Sequence, residues 1–306
     1  MLVALTLLAA LAPPNKSQPA KTTSHPDSGV VRTLTLPSGD EMNTYEVGAG
    51  RTVVLLPGML GGAFTYRKLI PALLADGYRV VIIDALGTGN SSRPPKADYT
   101  LTAQTERLAW AMSELQASDA MIVGHALGAA LALRLACRHP GLVRGVVALD
   151  GGQEHSAANH SVRRLVGLPF AFLFTPGRIK KSVRNGLVNN SADSSWVTDS
   201  TLAGYTDPLT RNPKVTLRAF QAMGRSVDTD DICFSGETLG TPVLMLVGAV
   251  PNNSNMITAS SLDSLNLVVP HMDIEWLPQA GHYIQEESPD VVAAAVVQMD
   301  RATATR

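Results

Sequence analysis

The stretch Gly124-His125-Ala126-Leu127-Gly128 has the residue types and spacing of a tight turn that presents one side chain. An apolar run ends at Val123 before it. Ala129, Ala130 and Ala132 follow it, so small residues stand where a sharp bend would crowd the backbone. The glycines fall at the positions of a G-x-S-x-G nucleophile elbow, whose central residue is held at the tip in a strained conformation. Ala126 occupies that tip. A methyl group cannot attack a carbonyl, so the acyl-enzyme route is closed to the chain as written. Two further side chains have chemistry to offer: Asp150, which ends the apolar run Val146 to Leu149 and precedes Gly151-Gly152, and His282, after the strand-like stretch Asp273 to Leu277 and a Pro278-Gln279-Ala280-Gly281 turn.

The elements that must position these residues are legible as a pattern. Val53 to Leu56, Val80 to Ile83, Met121 to Val123, Val146 to Leu149 and Val243 to Val247 are short, continuous, mostly branched apolar runs, the signature of parallel strands buried on both faces. Segments with helical spacing lie between them. Leu108, Ala111, Met112 and Leu115 follow i, i+3, i+4, i+7, and a helix after Gly128 stops at Pro140-Gly141. Ahead of them, 30–36 and 41–47 flank the turn Pro37-Ser38-Gly39-Asp40 and read as a hairpin. The alternation implies an α/β fold, a mostly parallel sheet with helices on both faces.

Between Asp150 and about Gly240 the alternation stops, which predicts a helical insertion over 151–240 between core segments 30–150 and 241–306. The apolar run Leu168 to Phe174 and a helix over 215–223 give it the character of a cap facing both the core and a ligand. A core helix packed on the sheet would use the same residues. The cluster Arg178, Lys180, Lys181 and Arg184 reads as a solvated face.

In this order along the chain, four motifs resemble the α/β-hydrolase fold superfamily: Leu55-Leu56-Pro57-Gly58-Met59 its oxyanion loop, Asp84 to Ser91 its D-x-x-G-x-G-x-S turn, Gly124 to Gly128 its elbow, and Gly281-His282 its histidine loop. The resemblance covers nearly all of the chain from about Val30 to Ala295. It implies that Ala126 stands at the nucleophile position, that His282 is the general base, and that the backbone N–H groups of Met59 and Leu127 form the oxyanion hole. The loop after Val247, Gly248-Ala249-Val250-Pro251-Asn252-Asn253, lacks the aspartate many members carry there. Asp150 matches the position that some subfamilies use instead, and Asn252, Asn253, Asp231 and Asp263 are alternatives.

Composition narrows the partners. The 306 residues are 45% hydrophobic and 17% charged, with 25 basic against 26 acidic side chains and a net charge of -1. Such a chain folds, and it has no field to draw it onto nucleic acid. No phosphate loop or dinucleotide fingerprint is present, so no cofactor is implied. Cys137 and Cys233 are too few and too far apart in sequence for a disulfide scaffold and lack the clustering of a zinc site; they read as buried thiols. Residues 1–29 read as a signal-like apolar segment, Met1 to Ala12, with a flexible linker, which favours export to the periplasm or medium over the cytoplasm; the apolar run is too short to span a membrane.

Three functions fit. In the first, alanine replaces serine in a hydrolase acting on a small, mainly apolar ester or related substrate. In the second, the alanine is native to a pseudohydrolase that binds a small molecule or partner without catalysis. In the third, His282 with Asp150 works as a base without a nucleophile.

Overall fold

The computed structural model of the chain describes residues 21–24, 29–152, 174–228, 231–233, 238–250, 257 and 259–304. Nine strands form one sheet: β1 Lys21–Ser24, β2 Val30–Thr35, β3 Glu41–Val47, β4 Arg51–Leu56, β5 Tyr78–Ile83, β6 Ala120–His125, β7 Val143–Leu149, β8 Val243–Gly248 and β9 Met272–Leu277. Their spatial order is β1-β2-β3-β5-β4-β6-β7-β8-β9. The pairs from β5 to β9 are parallel, and β1, β2 and β3 extend the sheet antiparallel. The α/β reading therefore holds, with the hairpin β2–β3 as its antiparallel flank.

Alternation along each central strand divides the core into two layers, because successive side chains in a strand point to opposite faces. Val54, Leu56, Val81, Ile83, Ile122, Val146 and Ala148 belong to one layer with helices α2 Leu101–Glu114 and α3 Leu127–Arg138. Val53, Leu55, Val80, Ile82, Met121, Val123, Val147 and Leu149 belong to the other with α1 Ile70–Ala75 and part of the C-terminal helix. All of them are essentially inaccessible to water. Burial on both faces explains why these runs carry no polar residue.

Among the described residues, helices α4 Pro176–Asn189, α5 Asp199–Thr210 and α6 Pro213–Arg225 lie between β7 and β8, and α7 Ala259–Val268, α8 Ile284–Glu287 and α9 Pro289–Ala304 follow β8. Thr175, Thr198 and Asn212 cap α4, α5 and α6 through side-chain oxygens, which accept backbone N–H groups that would otherwise lack partners. Most of the apolar run from Leu168 lies outside the described residues. The 178–184 basic cluster sits on α4, where Arg178, Lys180 and Lys181 are exposed and Arg184 pairs with Asp199.

Two expectations change. Within the stretch read as flexible linker, Lys21–Ser24 forms a strand paired antiparallel with Val30 to Thr33, because the backbone of β2 offers an open sheet edge that any extended segment can fill. Cys137 and Cys233 are not thiols but a disulfide, with Cα atoms 5.3 Å apart across 96 positions. The helical return of the chain brings the end of α3 against the segment that follows α6, a proximity that sequence spacing does not reveal.

The bond closes a loop that contains α4, α5 and α6. Its removal by C137A/C233A is expected to lower the unfolding free energy by about 4.7 kcal/mol, the chain-entropy figure for a loop of roughly 100 residues. Denaturant melts of the parent and the double variant check this, and coincident curves would contradict it.

Candidate active site

The turn after β6 is bent at Ala126. Its φ of 49° and ψ of -114° lie in the left-handed half of conformational space that side chains with a Cβ disfavour. The conformation is held from both sides. The Ala126 N–H donates to Leu149 O at 3.0 Å, and Ala126 O accepts the N–H groups of Ala129 and Ala130. Close packing adds to this, since a Cβ on Gly128 would overlap the Leu56 carbonyl. Ala126 keeps part of its surface exposed while His125 and Leu127 on either side are buried.

Asp150 follows β7, the strand paired with β6, and its backbone also adopts positive φ, at 41°. Its Oδ2 lies 2.5 Å from Nδ1 of His282, which stands in the loop after β9, and both side chains are nearly buried. A carboxylate can only accept, so Nδ1 carries the shared proton and the Nε2 lone pair is left to take another. The structure thus brings together Asp150 and His282, on a sheet edge shared with Ala126. A Cβ on Gly151 would reach within 2.5 Å of the Ala126 Cα, which shows how near the chain at Asp150 runs to the bend. Of the other candidates considered, Asp231 sits beside Cys233 and Asp263 lies exposed on α7, neither bonded to His282; Asn252 and Asn253 lie outside the described residues.

The Leu127 N–H is the first of α3 and has no carbonyl behind it in the helix. Neither it nor the Met59 N–H donates to an acceptor among the described residues. Gly58, next to Met59, backs onto the His125 ring, where an added Cβ would lie 3.1 Å from Nδ1.

Several residues of the site carried no signal that singled them out in the sequence. His125 lies against His282 with ring centres 4.6 Å apart and planes tilted by 52°, and its Nε2–H donates to the His282 carbonyl at 2.9 Å. Burial, and then the neighbouring His282, push its basicity well down, so it stays neutral. Tyr283 lies against both imidazoles, and Trp196 and Tyr205 of the insertion lie against Tyr283 at 5.5 and 6.3 Å. Phe64 meets Tyr205 edge-on at 6.0 Å. An aromatic wall therefore runs from the imidazole into the insertion. Buried Glu286 anchors it, accepting from Tyr205 Oη at 3.0 Å and pairing with Arg67 and, at 3.6 Å, Lys68. Among the described residues, no cluster of three or more His, Cys, Asp or Glu side chains is arranged to hold a metal. Nor is any described helix long and apolar enough to cross a membrane.

Known proteins share this arrangement of strands and helices. Residues 51–162 match the model of a family described as alpha/beta hydrolase fold. An uncharacterized hydrolase, YugF, of Bacillus subtilis is 25% identical over 81% of this chain and 89% of its own length. Lipase 1 of Psychrobacter immobilis is 33% identical over 42% of this chain and 40% of its own. A mutant of the meta-cleavage product hydrolase CumD from Pseudomonas fluorescens IP01, solved with acetates bound, superposes with a TM-score of 0.70 at 24% identity, covering 88% of this chain and 97% of that one.

The loop bearing Met59 is supported by Asp84, at the end of β5. Its Oδ2 accepts from Asn90 N at 2.8 Å and from Asn43 Nδ2 at 3.1 Å. Complete burial raises the carboxyl to about 6, against the pull of the Asn90 and Asn43 donors, Arg93 and the Ala63 amide of the Met59 loop. A raised carboxyl binds its proton more tightly folded than unfolded, so between about pH 6 and 4 the folded state gains stability as pH falls. Relative to D84N, which cannot titrate, the parent is expected to gain about 2 kcal/mol over that window. Urea melts of both proteins at pH 7, 5 and 4 check it; a constant difference would contradict the assignment.

Proposed function

The chain belongs to the α/β-hydrolase fold superfamily, and from that premise we propose that its site is a serine-hydrolase framework for a small, mainly apolar ester, lacking only the nucleophile. The observation that carries this reading is the buried bond of 2.5 Å between His282 and Asp150 beside the strained bend at Ala126. In this reading Asp150 holds the imidazole in the Nδ1–H tautomer and fixes its orientation. His282 Nε2 would take the proton of a hydroxyl at position 126, and the N–H groups of Met59 and Leu127 would hold the oxyanion. Ala126 leaves the base and the oxyanion donors without the atom that attacks. Phe64, Trp196, Tyr205 and Tyr283 support an apolar or aromatic acyl or alcohol group over a sugar or peptide.

The protein works outside the reducing cytoplasm in this reading, a view supported by the Cys137–Cys233 bond and by the apolar segment Met1 to Ala12.

A base without a nucleophile is the second reading, favoured by the fact that His282 and Asp150 meet although Ala126 offers them no hydroxyl. There His282 would activate water or draw a proton from substrate directly.

Restoring serine separates the two. A126S is expected to hydrolyse p-nitrophenyl butyrate at least about a thousandfold faster than the parent. Adding H282A or D150N to that variant should remove about 10³- to 10⁴-fold of the gain. A folded A126S protein with no turnover would sink the hydrolase framework. Parental turnover that vanishes in H282A would instead favour the base acting alone.

A further inference from the structure

The loop that carries His282 is gripped by the insertion as well as by the core. The His282 N–H donates to the Asn190 carbonyl at 2.7 Å. Gly281 packs so tightly on the turn after α4 that a Cβ there would lie 2.5 Å from the Asn190 oxygen, 2.8 Å from Ala192 N and 2.9 Å from Ser191 Cα. Glu287 closes this junction. Its Oε2 accepts the Gly281 N–H at 2.9 Å, while its Oε1 accepts the N–H groups of Ala192 at 2.6 Å and Asp193 at 2.9 Å.

One carboxylate thus satisfies three backbone donors from two segments far apart in sequence. Burial raises the Glu287 carboxyl above its usual range even with the three donors opposing, so the group is held in place at a cost. The neighbouring charges act differently: Asp193, whose carboxylate accepts from Ser195, adds a like charge that raises Glu287 further, while Glu286 is engaged by Arg67, Lys68 and Tyr205. Nothing in the Asp150–His282 pair itself calls for a second carboxylate here. The geometry does, because the imidazole sits one residue beyond Gly281 and its aim depends on where Gly281 is held.

We propose that Glu287 is the positioning residue of the His282 imidazole: it straps the 190–193 turn of the insertion to the 281–282 loop, so that the two move as one body and the ring stays on Asp150. This rests on the reading of His282 as the base and adds to it that the insertion shares in aiming that base. Glutamine at 287 keeps the size but offers one acceptor oxygen, and its NH₂ would face an N–H donor, so one side of the strap must open. Aspartate keeps the charge but is one methylene shorter and reaches one side only.

The test reads the imidazole directly, in the full chain with Ala126 in place. Long-range ¹H–¹⁵N correlation spectra of ¹⁵N-histidine protein, with His282 assigned by the signals lost in H282Q, report which ring nitrogen holds the proton. The parent is expected in the Nδ1–H form. In E287Q the ratio of the two neutral forms should move at least tenfold toward Nε2–H, while the far-ultraviolet circular dichroism stays as in the parent. If E287Q does not fold, E287D is expected to show the same movement. An unchanged tautomer ratio in whichever variant folds would overturn the proposal, including the case in which the variant merely melts at lower temperature. In the A126S background, E287Q should lower kcat at least tenfold and change KM less than twofold; an unaltered kcat would also overturn it. Should A126S show no turnover, the hydrolase reading fails, and the tautomer ratio still decides the role of Glu287.

Discussion

The bond between Asp150 and His282 joins residues 132 positions apart, and the rest of the site is arranged around it. For the two side chains to meet, β7 must end beside β6, β8 and β9 must follow on the same edge, and each strand must run in the same direction so that the loops emerge together. Parallel pairing alone does this, because it puts every strand's C-terminal end on one side. The dyad is buried, where a carboxylate without a partner is costly and a hydrogen-bonded one is tolerated. Losing either side chain leaves the other short of a partner it was folded to meet.

A second constraint is the junction of core and insertion. Glu286 and Glu287 are adjacent, yet they work in different directions: the first binds Arg67, Lys68 and Tyr205, the second the amides of Gly281, Ala192 and Asp193. A buried charge such as Glu286 adds little net stability, but it fixes geometry, because displacement would strand it without its partners; half-buried Glu287 fixes geometry by holding three backbone donors at once. The disulfide between Cys137 and Cys233 constrains the far end of the same insertion covalently. The insertion is therefore tied to the core beside the imidazole and again behind α3, with the aromatic wall of Trp196, Tyr205 and Tyr283 between α5 and the histidine loop.

Legibility in the sequence followed the range of each interaction. The strands of the sheet core were visible as apolar runs, since burial on both faces excludes polar residues locally. The bend at Ala126 was visible because tight turns need small residues within a few positions. The linker strand Lys21–Ser24 was not, since its pairing draws on the edge of β2 and not on its own hydrophobicity. The cysteines were misread for a related reason: 96 intervening residues say nothing about a separation of 5.3 Å. His125, Trp196, Glu286 and Glu287 had no distinguishing pattern, because their partners lie on other elements.

What the residue order determined by itself was the α/β class, the placing of the central strands, the turn at 124–128 and the absence of a nucleophile there, all of them matters of local sterics and burial. The residue sequence favoured Asp150 as the partner of the imidazole, with Asn252, Asn253, Asp231 and Asp263 as alternatives. Only the tertiary structure decided that Asp150 is the neighbour of His282 and that the 190–193 turn and Glu287 hold its loop. Those choices depend on which loops the sheet order delivers to one edge, and strand order is set by packing across the whole domain.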